Sequence, residues 1–221
     1  MAGSGRESFN NSLDRIKLVT GIRLLEDQEC IDEILGRFNY RYEIAGENEC
    51  FTRGKKPANS EMEFPHGMYE NFEEVDYQIF ERMKARISFW SQFHDTALIF
   101  PIAFKEHIDH FIVREAAIET AKELGTASNA TFYFQEDKPY GGIATDIECK
   151  RIDQFISENK LEQRPYMYDP EMMISLAFRH YISQVEEVYK IGIRNRSGYL
   201  QKLLKADQPC DKIYVFNPAL H

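Results

Sequence analysis

Several features that mark other protein classes are missing from this chain of 221 residues. It has no apolar run near the ~20 residues that a membrane-spanning helix needs. It has no excess of basic residues, since the formal net charge is -9, and this disfavours binding to nucleic acid or to an anionic membrane surface. The first residues contain no apolar stretch, so we expect no signal peptide.

Cysteine is scarce and widely spaced. The four cysteines are Cys30, Cys50, Cys149 and Cys210, and no two of them form a Cys-x-x-Cys pair. The spacing indicates neither a disulfide framework nor a zinc knuckle, and it suits a reducing compartment. We therefore predict a cytoplasmic protein.

The residues that are present favour a single folded domain. Aromatic residues make up 13% of the chain and charged residues 29%, which is typical of a soluble globular protein. The length is sufficient for one domain with a substantial core. We expect this domain to span residues 1–221.

Hydrophobic periodicity predicts a layered α/β fold. Apolar residues recur at helical spacing in four ranges: 13–35, 73–90, 111–124 and 171–189. Short apolar or alternating runs predict four strands: 41–45, 96–101, 131–134 and 212–216. The run 96–101 is apolar almost throughout, as in a strand buried on both faces of a parallel sheet, and 46–72 is predicted to be a long loop.

Two histidines flank a carboxylate directly after the predicted strand 96–101. They are His107 and His110, with Asp109 between them. Ligand sites of open α/β sheets lie at the carboxyl ends of strands, and neutral imidazole is a good zinc ligand whose tautomer a carboxylate can fix. The pattern is short, and a catalytic zinc needs about three protein ligands. On spacing alone, two histidines three residues apart at the start of a helix are often only solvated polar residues, and this reading stays open.

Longer stretches around this box carry a family resemblance. Residues 100–114 run from a strand through the box into a helix, and residues 132–140 read Phe-Tyr-Phe-Gln-Glu-Asp-Lys-Pro-Tyr. Together they resemble the second signature of the PIG-L/LmbE-like zinc-dependent deacetylases. Weaker similarities to the same family lie at Arg23–Asp27, Arg53–Gly54 and Ala177–Gln184. The resemblance covers most of residues 13–190.

The resemblance implies a fold, a reaction and roles for four residues. The fold would be Rossmann-like, with a mostly parallel sheet, and the reaction would be zinc-dependent hydrolysis of the amide of an N-acetylated sugar or related small molecule. His110 would be a zinc ligand, and Asp109 would orient or tune a catalytic group. His107 would stabilise the oxyanion or act as an acid. Arg53 would bind a substrate oxygen, with a surface cation as the alternative reading.

The chain departs from this family at its beginning. The family's first motif, His-Pro-Asp-Asp, which supplies the other ligands and a general base, does not occur in this sequence. We expect the first strand–helix–strand unit to be missing, with Met1–Gly3 resembling the end of a later turn. Loss of a central strand would expose a strand edge, so we expect a homo-oligomer or completion by another chain. The resemblance therefore implies an N-deacetylase if the missing segment completes the chain, and the alternative is a non-catalytic protein that binds a sugar-like ligand or a partner chain.

Two further groups of polar residues have simple readings. Glu26, Asp27 and Glu29 are predicted to form a solvated face of the first helix. Tyr181 and Gln184 lie about one helical turn apart and could face a pocket, with packing as the default reading.

Overall fold

The computed structural model describes residues 13–56 and 67–220. In these ranges the chain forms six α-helices and four strands, which confirms the α/β class. In chain order they are α1 (Leu13–Leu35), α2 (Glu74–Trp90), β1 (Thr96–Pro101), α3 (Ile108–Leu124), β2 (Ala130–Gln135), α4 (Asp146–Glu158), β3 (Glu162–Met167), α5 (Pro170–His180), α6 (Glu187–Leu203) and β4 (Cys210–Val215). No helix of the described ranges combines the length and the apolar character that a bilayer span requires.

The four strands form one mixed sheet in the order β1-β2-β4-β3. β1 and β2 are parallel, with Thr96 opposite Ala130, whereas β4 is antiparallel to both β2 and β3. The prediction of a mostly parallel sheet is therefore not confirmed by the strands that the structure describes. β1 is an edge strand, and Ile99 on it is 57% exposed. The prediction that the run 96–101 is buried on both faces was wrong, because the side chain of Ile99 remains exposed to solvent.

The main core lies on one face of the sheet. Phe132 and Phe134 of β2 are buried there, together with residues of α2, α3 and α4 such as Phe80, Ile112 and Phe155. Helices α5 and α6 lie over the other face near the ends of β1 and β2, and α1 contacts α5. The fold thus has three layers, with the carboxyl ends of β1 and β2 close to both helical layers.

Several predicted boundaries agree with the structure and others do not. α1 ends at Leu35, and Gly36 follows with a φ of 81°, as expected for a glycine that ends a helix. No strand forms at 41–45. The single helix predicted over 171–189 was wrong, since α5 ends at His180 and α6 begins at Glu187.

Some predictions concern residues outside the described ranges. These are the polar loop at 1–12, the similarity at Met1–Gly3 and the portion 57–66 of the long loop. The remainder of that loop is irregular, with a single 3-10 turn at Tyr69–Asn71. The prediction of one domain over residues 1–221 stays a prediction.

Candidate functional site

The predicted site residues lie at the carboxyl ends of β1 and β2. Because these two strands are parallel, their ends meet at one edge of the sheet, and each leads into a polar segment. β1 leads to His107 and to the start of α3, and β2 leads to Asp137. The rings of His107 and His110 have centroids 5.3 Å apart.

The segment between β1 and α3 has an unusual backbone. Three non-glycine residues in four positions have left-handed φ values: Ala103 at 64°, Lys105 at 64° and Glu106 at 50°. Each such residue costs about 1–3 kcal/mol and persists only where its surroundings fix it. Here the Asp137 carboxylate accepts a hydrogen bond from the N–H of Phe104 at 2.9 Å, and Arg151 pairs with the Glu106 carboxylate. The strained segment sets the direction in which the chain enters α3.

His110 forms a pair with Asp137. Its Nδ1 lies 2.7 Å from Oδ1 of that carboxylate. A carboxylate can only accept, so the ring hydrogen is on Nδ1 and the lone pair of the neutral ring is on Nε2. Burial lowers the pKa of His110, but the hydrogen bond and the charge of Asp137 outweigh it and raise the pKa above its usual value. The side chain is 40% exposed, so it is accessible to a ligand.

His107 is held in the opposite way. Its Nδ1 accepts a hydrogen bond from the backbone N–H of Asp109 at 3.1 Å and caps α3. The hydrogen of the neutral ring is therefore on Nε2, which lies 3.7 Å from Sγ of Cys50. Burial lowers the pKa of His107 to about 4, with the nearby Asp109 charge opposing this shift. His107 is thus a neutral donor near neutral pH.

Asp109 and Arg53 form an ion pair. Nη2 of Arg53 donates to Oδ1 of Asp109 at 2.7 Å, and its Nε donates to buried Asp76 at 3.1 Å. The second Asp109 oxygen accepts the N–H of Cys50 at 3.0 Å. The Arg53 side chain is only 3% exposed, so the surface-cation reading was wrong. Arg53 fixes the loop that precedes α2 against the start of α3.

One group of side chains in the described ranges has the composition of a metal site. It comprises Glu49, Cys50, His107 and Asp109, and one ligand atom of each lies within 4.8 Å of the others. Sγ of Cys50 donates to Oε1 of Glu49 at 3.5 Å. Burial raises the pKa of both the Cys50 thiol and the Glu49 carboxyl. His110 is not a member of this group.

A cavity of about 510 Å³ lies beside the His110–Asp137 pair, between the sheet and helices α5 and α6. Asp137 lines it, and so do Tyr181 and Gln184, so the pocket-facing reading of these two residues agrees with the structure. Most of its wall is aromatic or aliphatic: Ile99, Phe100, Tyr140, Phe178, Val185, Tyr189 and Ile193.

The solvated face predicted for α1 was wrong at one position. Glu26 is 8% exposed, and its carboxylate accepts hydrogen bonds from Ser183 and Gln184 after the end of α5. These bonds position the cavity wall and interrupt the helix predicted over 171–189, because Glu26 takes the Ser183 N–H that a continuous helix would use.

The structure brings together all four residues singled out from the sequence: Arg53, His107, Asp109 and His110. Their proposed roles are not decided by this proximity. Sequence reasoning missed the contributions of Asp137, Glu49 and Cys50. Asp137 had a readable signal, since it follows a predicted strand, whereas Glu49 and Cys50 lie in a loop with no pattern that singles them out.

Comparisons with known proteins add no relative. No protein-family model matches the chain, and neither a curated protein nor a solved structure gives a significant match.

Proposed function

We propose that this protein is a zinc-dependent amide hydrolase that removes the acetyl group of an N-acetylated sugar or a related small molecule. The supporting observation is the His110–Asp137 pair at the carboxyl end of two parallel strands, next to a cavity of suitable size. The proposal includes an LmbE-like, Rossmann-related fold. The parallel pairing of β1 with β2 and the helical layers on both faces of the sheet support it, although the other strand pairings are antiparallel.

The residues present fit a divalent metal in part. His110 offers the lone pair of Nε2, and its Nδ1–H on a carboxylate is the usual arrangement of a metal-binding histidine. Within the described ranges no set of three ligands includes His110. A bound zinc ion would supply a water of lowered pKa and would polarise the amide carbonyl.

The side chains of this chain perform the remaining tasks. Nε2 of His110 has one lone pair, so it either binds the metal or, if other residues hold the metal, accepts a proton from the attacking water; in both cases Asp137 keeps the ring oriented. His107 carries its hydrogen on Nε2, which is the form that donates to a developing oxyanion. Asp109 and Arg53 hold the start of α3 in register with the preceding loop.

A second candidate is a non-catalytic protein that binds a small sugar-like ligand in the cavity. The aromatic wall with Tyr140, Tyr181 and Tyr189 favours it, because aromatic rings can pack against the apolar face of a ligand and bind it without catalysing a reaction. Under either proposal we place the protein in the cytoplasm, which the four free cysteines support. An exposed edge at β1 supports completion by a second copy or another chain.

Release of acetate from N-acetylglucosamine and related amides, with zinc present, tests the hydrolase. We expect the change His110→Ala to reduce the rate by about 100-fold or more, because a positioned base or ligand contributes at least that factor. His94→Ala is the matched control, since His94 is exposed in the turn before β1 and should keep full activity. Ligand binding by the wild-type protein without any acetate release would instead support the second candidate.

A further inference from the structure

The loop that precedes α2 and the start of α3 bring three different metal-binding side chains together. Cys50 is fully buried, with its Sγ 3.7 Å from Nε2 of His107 and 3.5 Å from Oε1 of Glu49. Two ligands that share a tetrahedral zinc lie about 3.6 Å apart, given Zn–S of ~2.3 Å and Zn–N or Zn–O of ~2.0–2.2 Å. We propose that Glu49, Cys50 and His107 bind a divalent transition metal, and that His110 lies beside this metal rather than on it.

The charges around the group also favour a cation. Arg53 and Lys55 pair with Asp76 and Asp109, and the charge of a third cation, Arg23, acts on Glu49 without a direct ion pair between them in the described residues. Glu49 forms no ion pair within the described part of the chain, and its carboxylate accepts only from the Cys50 thiol and from a backbone N–H. The Glu49 carboxylate therefore has no cation in direct contact within the described residues, and a Cys50 thiolate would add a second negative charge beside it. A divalent cation between the two would contact both charges directly.

Asp109 orients the site without binding the metal. Both of its oxygens are occupied, one by Arg53 and the other by the N–H of Cys50. When the cation binds, the Cys50 thiol loses its proton to solvent, and the ring hydrogen of His107 moves from Nε2 to Nδ1. Nδ1 then gives up the hydrogen bond from the backbone N–H, and the nearest carboxylate oxygen is that of Asp109, at 3.9 Å. A shift of the ring that brings Nδ1–H within hydrogen-bond distance of this oxygen would place His107 between a metal and a carboxylate.

This assignment rests on the proposed hydrolase for what the metal does, but not for where it binds. Three protein ligands with a fourth position for water are typical of catalytic zinc sites, whereas structural sites are closed. His107 becomes a ligand, and His110, with its ring centroid 5.3 Å away, is left as the base. This replaces the roles that the family resemblance implies, in which His110 is the ligand and His107 donates to the oxyanion from Nε2.

Cobalt substitution of the full chain tests the ligand set without an activity assay. We expect wild-type protein to bind one equivalent of Co²⁺ and to show a thiolate-to-cobalt charge-transfer band. Cys50→Ser should abolish the band and weaken binding at least 10-fold. His110→Ala should retain both the band and the affinity. The triple change Cys30→Ser, Cys149→Ser and Cys210→Ser, which leaves Cys50 as the one cysteine, should also retain the band.

Two results would overturn the proposal. One is a wild-type cobalt complex that shows no thiolate-to-cobalt band. Because this measurement uses only the wild-type protein, no folding defect of a variant can explain it. The other is a pair of results: the His110→Ala variant no longer binds cobalt, whereas the Cys50→Ser variant, with the same stability to unfolding as the wild type, still binds it. The hydrolase proposal and the metal-site proposal can fail independently. If cobalt binds as expected but no amide substrate releases acetate, only the hydrolase proposal is wrong.

Discussion

At the residue scale, the two histidines of the site show how neighbours decide chemistry. His107 and His110 are three residues apart and belong to the same turn of chain, yet their ring hydrogens are on opposite nitrogens. An acceptor, the Asp137 carboxylate, faces Nδ1 of His110, whereas a donor, the N–H of Asp109, faces Nδ1 of His107. One histidine therefore has an available lone pair on Nε2 and the other has a hydrogen there.

We predict that Asp137→Asn lowers the pKa of His110. In the wild type the Asp137 hydrogen bond and charge overcome burial, which on its own lowers the pKa. Asparagine has a single side-chain oxygen, whereas Asp137 uses one oxygen for His110 and the other for the N–H of Phe104, so the charge is lost together with one of these two hydrogen bonds, and burial then dominates. Titration of the His110 ring by NMR measures the shift. Asp95→Asn, in the exposed turn before β1, should leave the His110 titration unchanged, and an equal shift in both variants would contradict the assigned cause.

At the element scale, the helices and strands with clear hydrophobic periodicity were predictable, whereas an element that forms only through its contacts with the rest of the fold was not. α1, α2, α3, β1, β2 and β4 all follow the predicted ranges closely. α4 was missed, although Thr145 and Glu148 form a capping box that is readable from sequence. β3 was missed because its exposed, charged residues and Pro165 resemble a loop, and only pairing with β4 makes it a strand.

One buried ion pair joins three of these elements. Glu136, directly after β2, is 1% exposed and forms two hydrogen bonds with Arg196 of α6, at 2.6 and 2.7 Å. Tyr214 of β4 donates to the same carboxylate at 3.1 Å. Burial raises the pKa of Glu136, but Arg196 and the nearby lysines outweigh it, so the pKa is lowered overall. The pair therefore fixes α6, which forms a wall of the cavity.

We predict that Glu136→Gln lowers the free energy of unfolding at neutral pH by about 3 kcal/mol or more, because it leaves Arg196 buried without its charge partner. The wild type should lose this contribution on acidification. A lowered folded-state pKa means that the stabilisation is complete above the ordinary glutamate pKa of ~4.3 and disappears as the pH falls through the folded-state pKa. Urea unfolding at neutral and acidic pH measures both effects.

Glu162→Gln is the matched control for this prediction. Glu162 pairs with Arg164 on the exposed strand β3, so the same chemical change should alter stability by no more than about 0.5 kcal/mol. Equal effects of the two substitutions would contradict the structural role assigned to Glu136.

At the scale of the whole molecule, the sequence indicated four residues of the candidate site, which the structure brings together, but not the other residues beside them. His107, Asp109 and His110 were predictable because they follow a recognisable strand, and Arg53 because of the resemblance. Glu49 and Cys50 reach the site only through contacts between parts of the chain more than 50 residues apart. The strand order also depends on such contacts, since β4 inserts between β2 and β3 and makes two of the three pairings antiparallel.

The open edge of β1 leads to a prediction about the assembled protein. Ile99 is 57% exposed on this edge strand, and the strand carries no charged residue and no proline before its last position, Pro101, so within the described ranges little protects it from pairing with another strand. We expect the protein to associate as its concentration rises, and Ile99→Lys to weaken that association by at least ~10-fold, or ~1.4 kcal/mol. Sedimentation velocity measures the effect. Met172→Lys, at an equally exposed apolar residue of α5, is the matched control and should associate like the wild type. A wild-type protein that stays monomeric at every concentration, or an Ile99→Lys variant that associates unchanged, would show that this edge is not used for self-association.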